Sequence, residues 1–585
     1  MTLDLYPVPR ELEIVGEGAP LAAAVERRRL AALPAEGHAI EIDASSVRIG
    51  YSDERGLRYA EDTLEQIRRQ SSDRWPGLRL RDAPEFPVRV FMLDVSRDRV
   101  PTRATLERLV EVMALGRMNH LELYTEHAFA YRDHERVWRG ASPITPEDVR
   151  WLDAVCRERG IELVANQNCF GHMARWLAHE AYRDRAEAPD GWVAPRLGRR
   201  APAVLAPTED NARFALELVR ELMACFTSRK VNIGCDETFE LGLGHSRIDV
   251  AARGRGRVYL DHLKRLLSGL HADGCEVLFW GDILRSHPEL VAELPRRDTI
   301  ALAWHYEAPM SPADLPEDVV ATMEGLGMGP ETLCGFEAQV PAFADAGVPF
   351  WVCPGTSSWN SLLGRWENAR RNLLDAAQTG AARGAEGFLI TDWGDNGHLQ
   401  PLSVSFAPLL YGAALAWGVE ANRTLDTARV LDDRLFDDRT GLGSVYLDVA
   451  DAYAGTGLSA FNASPLFAGL LSRSSHLLFG ALDAPATREL VEKLDAAADR
   501  AAAARPGCRD GSICVRELRQ AIRLARHGAW RLLIMDGAPA PEDAALRRDL
   551  AEAIEEQRSC WLARSRPGGL DDSLARLTAT LDGYG

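Results

Sequence analysis

Eight short apolar segments, spaced along the middle of the chain and separated by helical patterns, constrain what this sequence can fold into more than any other feature. They are Val90–Val95, His120–Thr125, Ile161–Ala165, Lys230–Gly234, Cys275–Trp280, Ile300–Trp304, Phe350–Cys353 and Gly387–Thr391. Between the first two, Leu106, Leu109, Val110, Met113 and Ala114 fall on one face at helical spacing. Eight strands alternating with helices predict an α/β fold, a (β/α)8 TIM barrel over 86–420. A doubly wound open sheet is the rival. It is weaker, because no glycine-rich phosphate loop follows any of these strands.

The flanks read differently. Residues 1–85 are predicted to form a small N-terminal α/β domain, with strands at Ala39–Ile42 and Ser46–Ile49 and a helix at Leu57–Arg69. The two prolines of RDAPEFPVR mark its end. From 421 to 585 strand patterns stop. Val515, Leu518, Ile522, Ala525, Ala529 and Leu532 recur at helical spacing, which predicts a helical C-terminal region packing on the barrel or on itself.

Composition narrows the partners. A formal charge of −18 argues against nucleic acid and anionic membrane, both of which need a basic surface. No apolar run is long enough to span a bilayer, and the N-terminus lacks a signal-peptide pattern. The ten cysteines are scattered without CxxC pairs or Cys/His clusters. No metal and no cofactor are expected, and reduced thiols in a cytoplasmic protein are. A homodimer is compatible with all of this.

In a barrel, chemistry gathers where the strands end. The fourth strand runs through KVNIGCDE into the adjacent acids Asp236 and Glu237. Alone, that pair reads as an acidic loop start. The other strand ends change the balance, bringing Arg97 in DVSR, Glu126, His172, and the tryptophans Trp280, Trp304 and Trp393, with Asp395 beyond. Three tryptophans among fixed polar groups suit a sugar, which offers C–H faces to stack and hydroxyls to bond.

From about residue 45 to 420 the sequence resembles glycoside hydrolase family 20, the β-N-acetylhexosaminidases. GLRYAEDTLEQI, FPVRVFMLDVSR, the turn Gly116–His120, the FGH segment, IGCDE and the WGD near the eighth strand carry the likeness in order and spacing. The resemblance implies exo-acting, retaining removal of terminal GlcNAc or GalNAc by substrate-assisted catalysis, in which the 2-acetamido oxygen replaces an enzyme nucleophile. It further implies that Glu237 is the general acid and Asp236 orients the acetamido group. His172 and Glu126 would form a polar relay behind the acid, with Arg97 and Asp395 binding hydroxyls and Trp280, Trp304 and Trp393 walling the pocket.

The chain departs from the family pattern at Asn166–Phe170, where a proline and an acid are usual, and at Cys235. It also has CPGTSSWN where the family places a tyrosine that binds the acetamido oxygen. Tyr306, Ser358 and Trp359 are the candidates for that donor. A barrel glycosidase for a sugar without the acetamido group, with Asp236, Asp282 or Asp395 as nucleophile, is the alternative enzyme. A non-catalytic carbohydrate-binding barrel is the alternative class, and the intact acids and Arg97 speak against it.

Overall fold

The computed structural model describes all residues except 1–2, 195–197, 312, 314–316, 318–319, 322–329, 473–475, 477 and 585. Its first part is a mixed sheet of β1 (Glu11–Pro20), β2 (Val25–Arg29), β3 (His38–Ile42), β4 (Val47–Tyr51) and β5 (Arg74–Asp82), in the order β1-β5-β3-β4-β2. Helix α1 (Glu54–Arg69) starts where the Asp53 carboxylate caps the Gly56 N–H. It lays Ala60, Leu64 and Ile67 on Ile40, Ile42, Val47, Ile49, Leu78 and Leu80. Alternation marked β3 and β4 in the sequence. Strand β2, VERRR, carries no apolar alternation, and in β1 and β5 the short alternations Leu12/Ile14 and Leu78/Leu80 are interrupted by Gly16, Pro20, Pro76 and Gly77, so pairing with neighbouring backbone completes these strands.

The barrel is closed. Its strands are β6 (Val88–Asp94), β7 (His120–Tyr124) and β8 (Glu162–Asn166), then, after a hairpin of β9 (Trp192–Ala194) and β10 (Gly198–Arg200), β11 (Lys230–Asn232), β12 (Glu276–Trp280), β13 (Thr299–Trp304), β14 (Phe350–Cys353) and β15 (Gly387–Asp392). All neighbours are parallel, and β15 pairs with β6 from Gly387↔Val88 to Asp392↔Leu93. The open-sheet alternative is therefore excluded. Two cores result: one lies between strands and helices, and the other fills the barrel with Val90, Met92, Leu278, Ile300, Leu302, Trp351 and Leu389 under a cap of aromatic rings. Below them, buried Glu122 accepts from Asn166 and Asn232 and pairs with His120.

Helices Ala484–Ala503, Gly511–Met535, Asp543–Arg564 and Leu570–Leu581 are the longest elements of the C-terminal part, which also has a short strand pair, β16 (Leu458–Ser459) and β17 (Phe479–Gly480). The predicted stripe from Leu518 to Leu532 is buried. This part leans on the barrel's C-terminal rim, where Arg576 pairs with Asp98 and the Ser573 hydroxyl donates to the Gly397 carbonyl. Among the described residues no helix is long and apolar enough to cross a membrane.

The N-terminal sheet is fastened to the barrel floor by buried charge. The Arg89 guanidinium donates to Glu36 at 2.5 Å and to the Arg117 and Phe86 carbonyls, and lies 5.3 Å from the Trp417 ring centroid. Arg117 pairs with Asp82 at 3.1 Å over the same ring. Removing one partner of a buried pair strands the other charge. Glu36→Ala is therefore expected to lower the unfolding free energy by about 3–5 kcal/mol, measured by denaturant unfolding.

Candidate active site

The centre is the turn after β11. Gly234, Cys235 and Glu237 all have positive φ, at 65°, 72° and 48°. For the two non-glycine residues that is unfavourable backbone, tolerated only where the surroundings fix it. Asn232 accepts from the Gly234 N–H, the Asn168 carbonyl oxygen accepts from the Cys235 N–H, and the Tyr259 hydroxyl donates to the Cys235 carbonyl. A side chain at position 234 would collide with Asn168, at 2.4 Å, so that site needs glycine. Strand alternation alone would send Asp236 and Glu237 to opposite faces; this turn brings both to the mouth.

Asp236 is buried and held at both oxygens. Oδ1 accepts from Asn168 Nδ2 at 2.8 Å, and Oδ2 lies 3.1 Å from His172 Nε2. The same His172 nitrogen is 3.5 Å from Glu237. Burial favours a neutral Asp236, but the His172 cation and the hydrogen bonds from His172 and Asn168 outweigh it and hold the carboxyl below its ordinary range. Burial likewise opposes charge on His172, yet Asp236 and then Glu237 push the imidazole up to about 10. Glu237 goes the other way. Burial raises it, His172 opposes and Asp236 adds to the rise, so the neighbouring acid is a contributor rather than the main cause. Its side chain remains 38% exposed, against 9% for Asp236. The two acids are thus driven apart, one ionised and one inclined to hold its proton.

Arg97 is the hub of the opposite wall. It pairs with Asp94 at 2.8 Å and lies 3.4 Å from each of Glu126, Asp395 and His172. It also sits over the Tyr124 and Trp393 rings at 5.0 and 4.9 Å. Glu126 and His172 are 3.9 Å apart, too far for a hydrogen bond. The expected relay is therefore spaced by the Arg97 guanidinium, and His172 turns its bonding nitrogen towards Asp236. Asp282 accepts from the Glu237 N–H and is pushed up to about 7 by burial and by Asp236.

Trp280 and Trp393 meet at 6.0 Å, and Trp304 stacks on Tyr306 at 5.1 Å, which in turn meets the edge of Trp359. All nine site residues expected from the sequence stand at this one rim. Of the three candidate donors, Ser358 is fully buried and the Trp359 N–H is committed to Asn462. Tyr306 stands among the pocket rings. Sequence reasoning missed Asp94, Tyr124 and the role of Asn168; the departure at Asn166–Phe170 was the one signal for the last. Among the described residues no cluster of three or more His, Cys, Asp or Glu could hold a metal ion.

Comparison with known proteins gives the family. Residues 86–321 match the model described as glycosyl hydrolase family 20, catalytic domain, and 7–83 match the family's domain 2. This chain belongs to glycosyl hydrolase family 20. It is 23% identical to human hexosaminidase D over 319 residues, covering 53% of this chain and 60% of that protein. It is 32% identical to the mouse beta-hexosaminidase alpha subunit over 253 residues, 40% of this chain and 45% of that protein. The chain thus matches about half the length of these relatives. In structure it is similar to a Flavobacterium johnsoniae chitobiase, with a TM-score of 0.54, 15% identity and coverage of 98% and 99% of the two chains. A β-N-acetylhexosaminidase from Bacteroides fragilis gives 0.55 at 16% identity, covering 74% of this chain and 95% of that one.

Asn168 is the residue on which this family 20 site leans most. Asn168→Ala leaves Asp236 short of a buried partner, worth about 1–3 kcal/mol, so turnover should fall roughly tenfold to a hundredfold. Asn168→Asp places a second carboxyl against Asp236 and raises its pKa, so the acidic limb of the pH–rate profile should move to higher pH. Steady-state kinetics across pH reads both.

Proposed function

We propose that this chain is an exo-acting, retaining β-N-acetylhexosaminidase that removes terminal GlcNAc or GalNAc by substrate-assisted catalysis. The observation that carries the reading is the split pair: a buried, doubly held, ionised Asp236 next to a partly exposed Glu237 inclined to keep its proton. A carboxylate so fixed suits the N–H of a 2-acetamido group. It orients the group and balances the positive charge that grows on its nitrogen.

The acetamido oxygen then attacks the anomeric carbon as the glycosidic C–O bond breaks, and Glu237 gives its proton to the leaving oxygen. Water follows. Glu237, now a base, takes its proton as the water oxygen bonds the anomeric carbon and the ring-closed intermediate reopens, so two inversions give retention. The Trp280, Trp304 and Trp393 rings suit the sugar and acetamido faces, and Arg97 with Asp395 suits its hydroxyls. Tyr306 is the donor we assign to the acetamido oxygen, supported by its place among the pocket rings. A reducing, cytoplasmic setting is supported by ten free thiols.

Activity on this reading needs Asp236 ionised and Glu237 protonated. The rate therefore falls as pH drops through the lowered Asp236 value and again as pH rises through the raised Glu237 value. His172 lowers both carboxyls. In His172→Asn both limbs of the kcat/KM profile should shift to higher pH. Unchanged limbs would remove His172 from the charge balance.

Glu237→Gln should lose ~10²–10⁴-fold on substrates with poor leaving groups and much less on activated aryl glycosides. Asp236→Asn should lower turnover by about 3–4 kcal/mol of transition-state stabilisation and weaken inhibition by a thiazoline analogue of the cyclised intermediate. Strong hydrolysis of an unacetylated glycoside, with no thiazoline inhibition of the unaltered enzyme, would reject the reading.

A further inference from the structure

If Glu237 is the acid, the leaving group must lie against its open side, and the loop that follows it in the chain presents apolar side chains. The Phe239 N–H donates to the Glu237 carbonyl at 2.7 Å, so Phe239 follows the acid in a tight turn. Its ring is 53% exposed and stacks on Trp192 of β9, with centroids 6.5 Å apart and planes 25° from parallel.

The exposure is built into the loop. The buried Glu187 carboxylate accepts from the Gly242, Gly244 and Ser246 N–H groups and from the Ser246 hydroxyl. The buried Glu240 carboxylate accepts from the Ala203 N–H, and the Trp192 indole N–H faces it. Two interior carboxylates thus tie the backbone down while the apolar side chains face water. From Thr238 to Gly244 the side chains of Thr238, Glu240 and Leu241 are buried. Phe239 and Leu243 are what this stretch presents, with Ile248 and Val193 flanking at 81% and 70% exposure.

We propose that this lip is the aglycone site of the enzyme and that it takes an apolar aglycone, an alkyl or acyl-chain group, in preference to a second sugar. The inference rests on the hexosaminidase reading above. A sugar would bring hydroxyls to Thr238–Gly244, where no polar side chain is exposed, and would meet polar groups at the edges, His245, Arg247 and Arg199. Phe239 on Trp192 offers one ring, and the aliphatic Leu243, Ile248 and Val193 beyond it add area that a chain can bury but no pyranose face can stack on.

The test compares methyl and octyl β-N-acetylglucosaminides and a β-linked N-acetylglucosamine disaccharide. Methanol and octanol are alcohols of similar acidity, so their ratio reports aglycone contacts rather than bond breaking. The octyl-to-methyl ratio of kcat/KM is expected to be roughly tenfold or more. It should fall below about threefold in Phe239→Ser and in Leu243→Ser, with folding checked by thermal unfolding. Equal kcat/KM for methyl and octyl, or preference for the disaccharide over octyl, overturns the proposal while leaving the hexosaminidase reading intact. So does a change in sedimentation of Phe239→Ser without a change in the ratio, which would make the lip a contact between two copies. Cleavage of none of the three overturns the underlying reading and the proposal with it.

Discussion

Strand β11 is three residues long, and the turn that cuts it short at Gly234 is the constraint around which the site is arranged. A regular strand would carry Asp236 and Glu237 to opposite faces. Positive φ at Gly234, Cys235 and Glu237 brings them together, and hydrogen bonds from Asn232 of β11, from the loop after β8 and from the helix before β12 hold that geometry. Asn168 serves twice. Its carbonyl oxygen takes the strained Cys235 N–H while its amide N–H₂ faces Asp236, so backbone and carboxylate are fixed by one planar group.

The electrostatics follow from the packing. Asp236, Glu237 and Asp282 stand close together in a site where burial penalises charge. They settle differently because their partners differ. Asp236 gains the His172 cation and Asn168 and stays ionised, Asp282 has the Glu237 N–H, and Glu237 keeps an open side. Across the cleft Arg97 balances Asp94, Glu126 and Asp395 together, which is why one cation can stiffen a whole wall. A site with its charges already balanced needs little rearrangement as charge moves through a bound sugar.

The flanking parts share this logic of buried charge. Arg89 and Arg117 join the N-terminal sheet to the barrel floor, and Arg564, paired with Asp510 and Glu517, knits the C-terminal helices beside the mouth. The loop carrying Phe239 is tied by Glu187 and Glu240 in the same way. Interior carboxylates here set loop shape, and the shape sets what the surface presents.

The sequence by itself determined the barrel. Strand and helix periods are local properties, and eight alternations leave few ways to bury their apolar faces. It also marked the rim residues, since barrel chemistry gathers at strand ends, and the resemblance gave them order. It determined β3, β4 and α1 but not β1, β2 and β5, whose irregular sequences pair only because neighbouring backbone offers them partners. Only the tertiary structure decided the rest. That Asn168 rather than a residue near Asp236 in the chain fixes that carboxylate, that Arg97 stands between Glu126 and His172, and that Tyr306 rather than Ser358 stands among the pocket rings are contacts across strands. Burial set against partners decided which acid keeps its proton: His172 and Asn168 hold Asp236 ionised against burial, while burial raises Glu237. Desolvation depends on everything packed around a group, and no local pattern carries that sum.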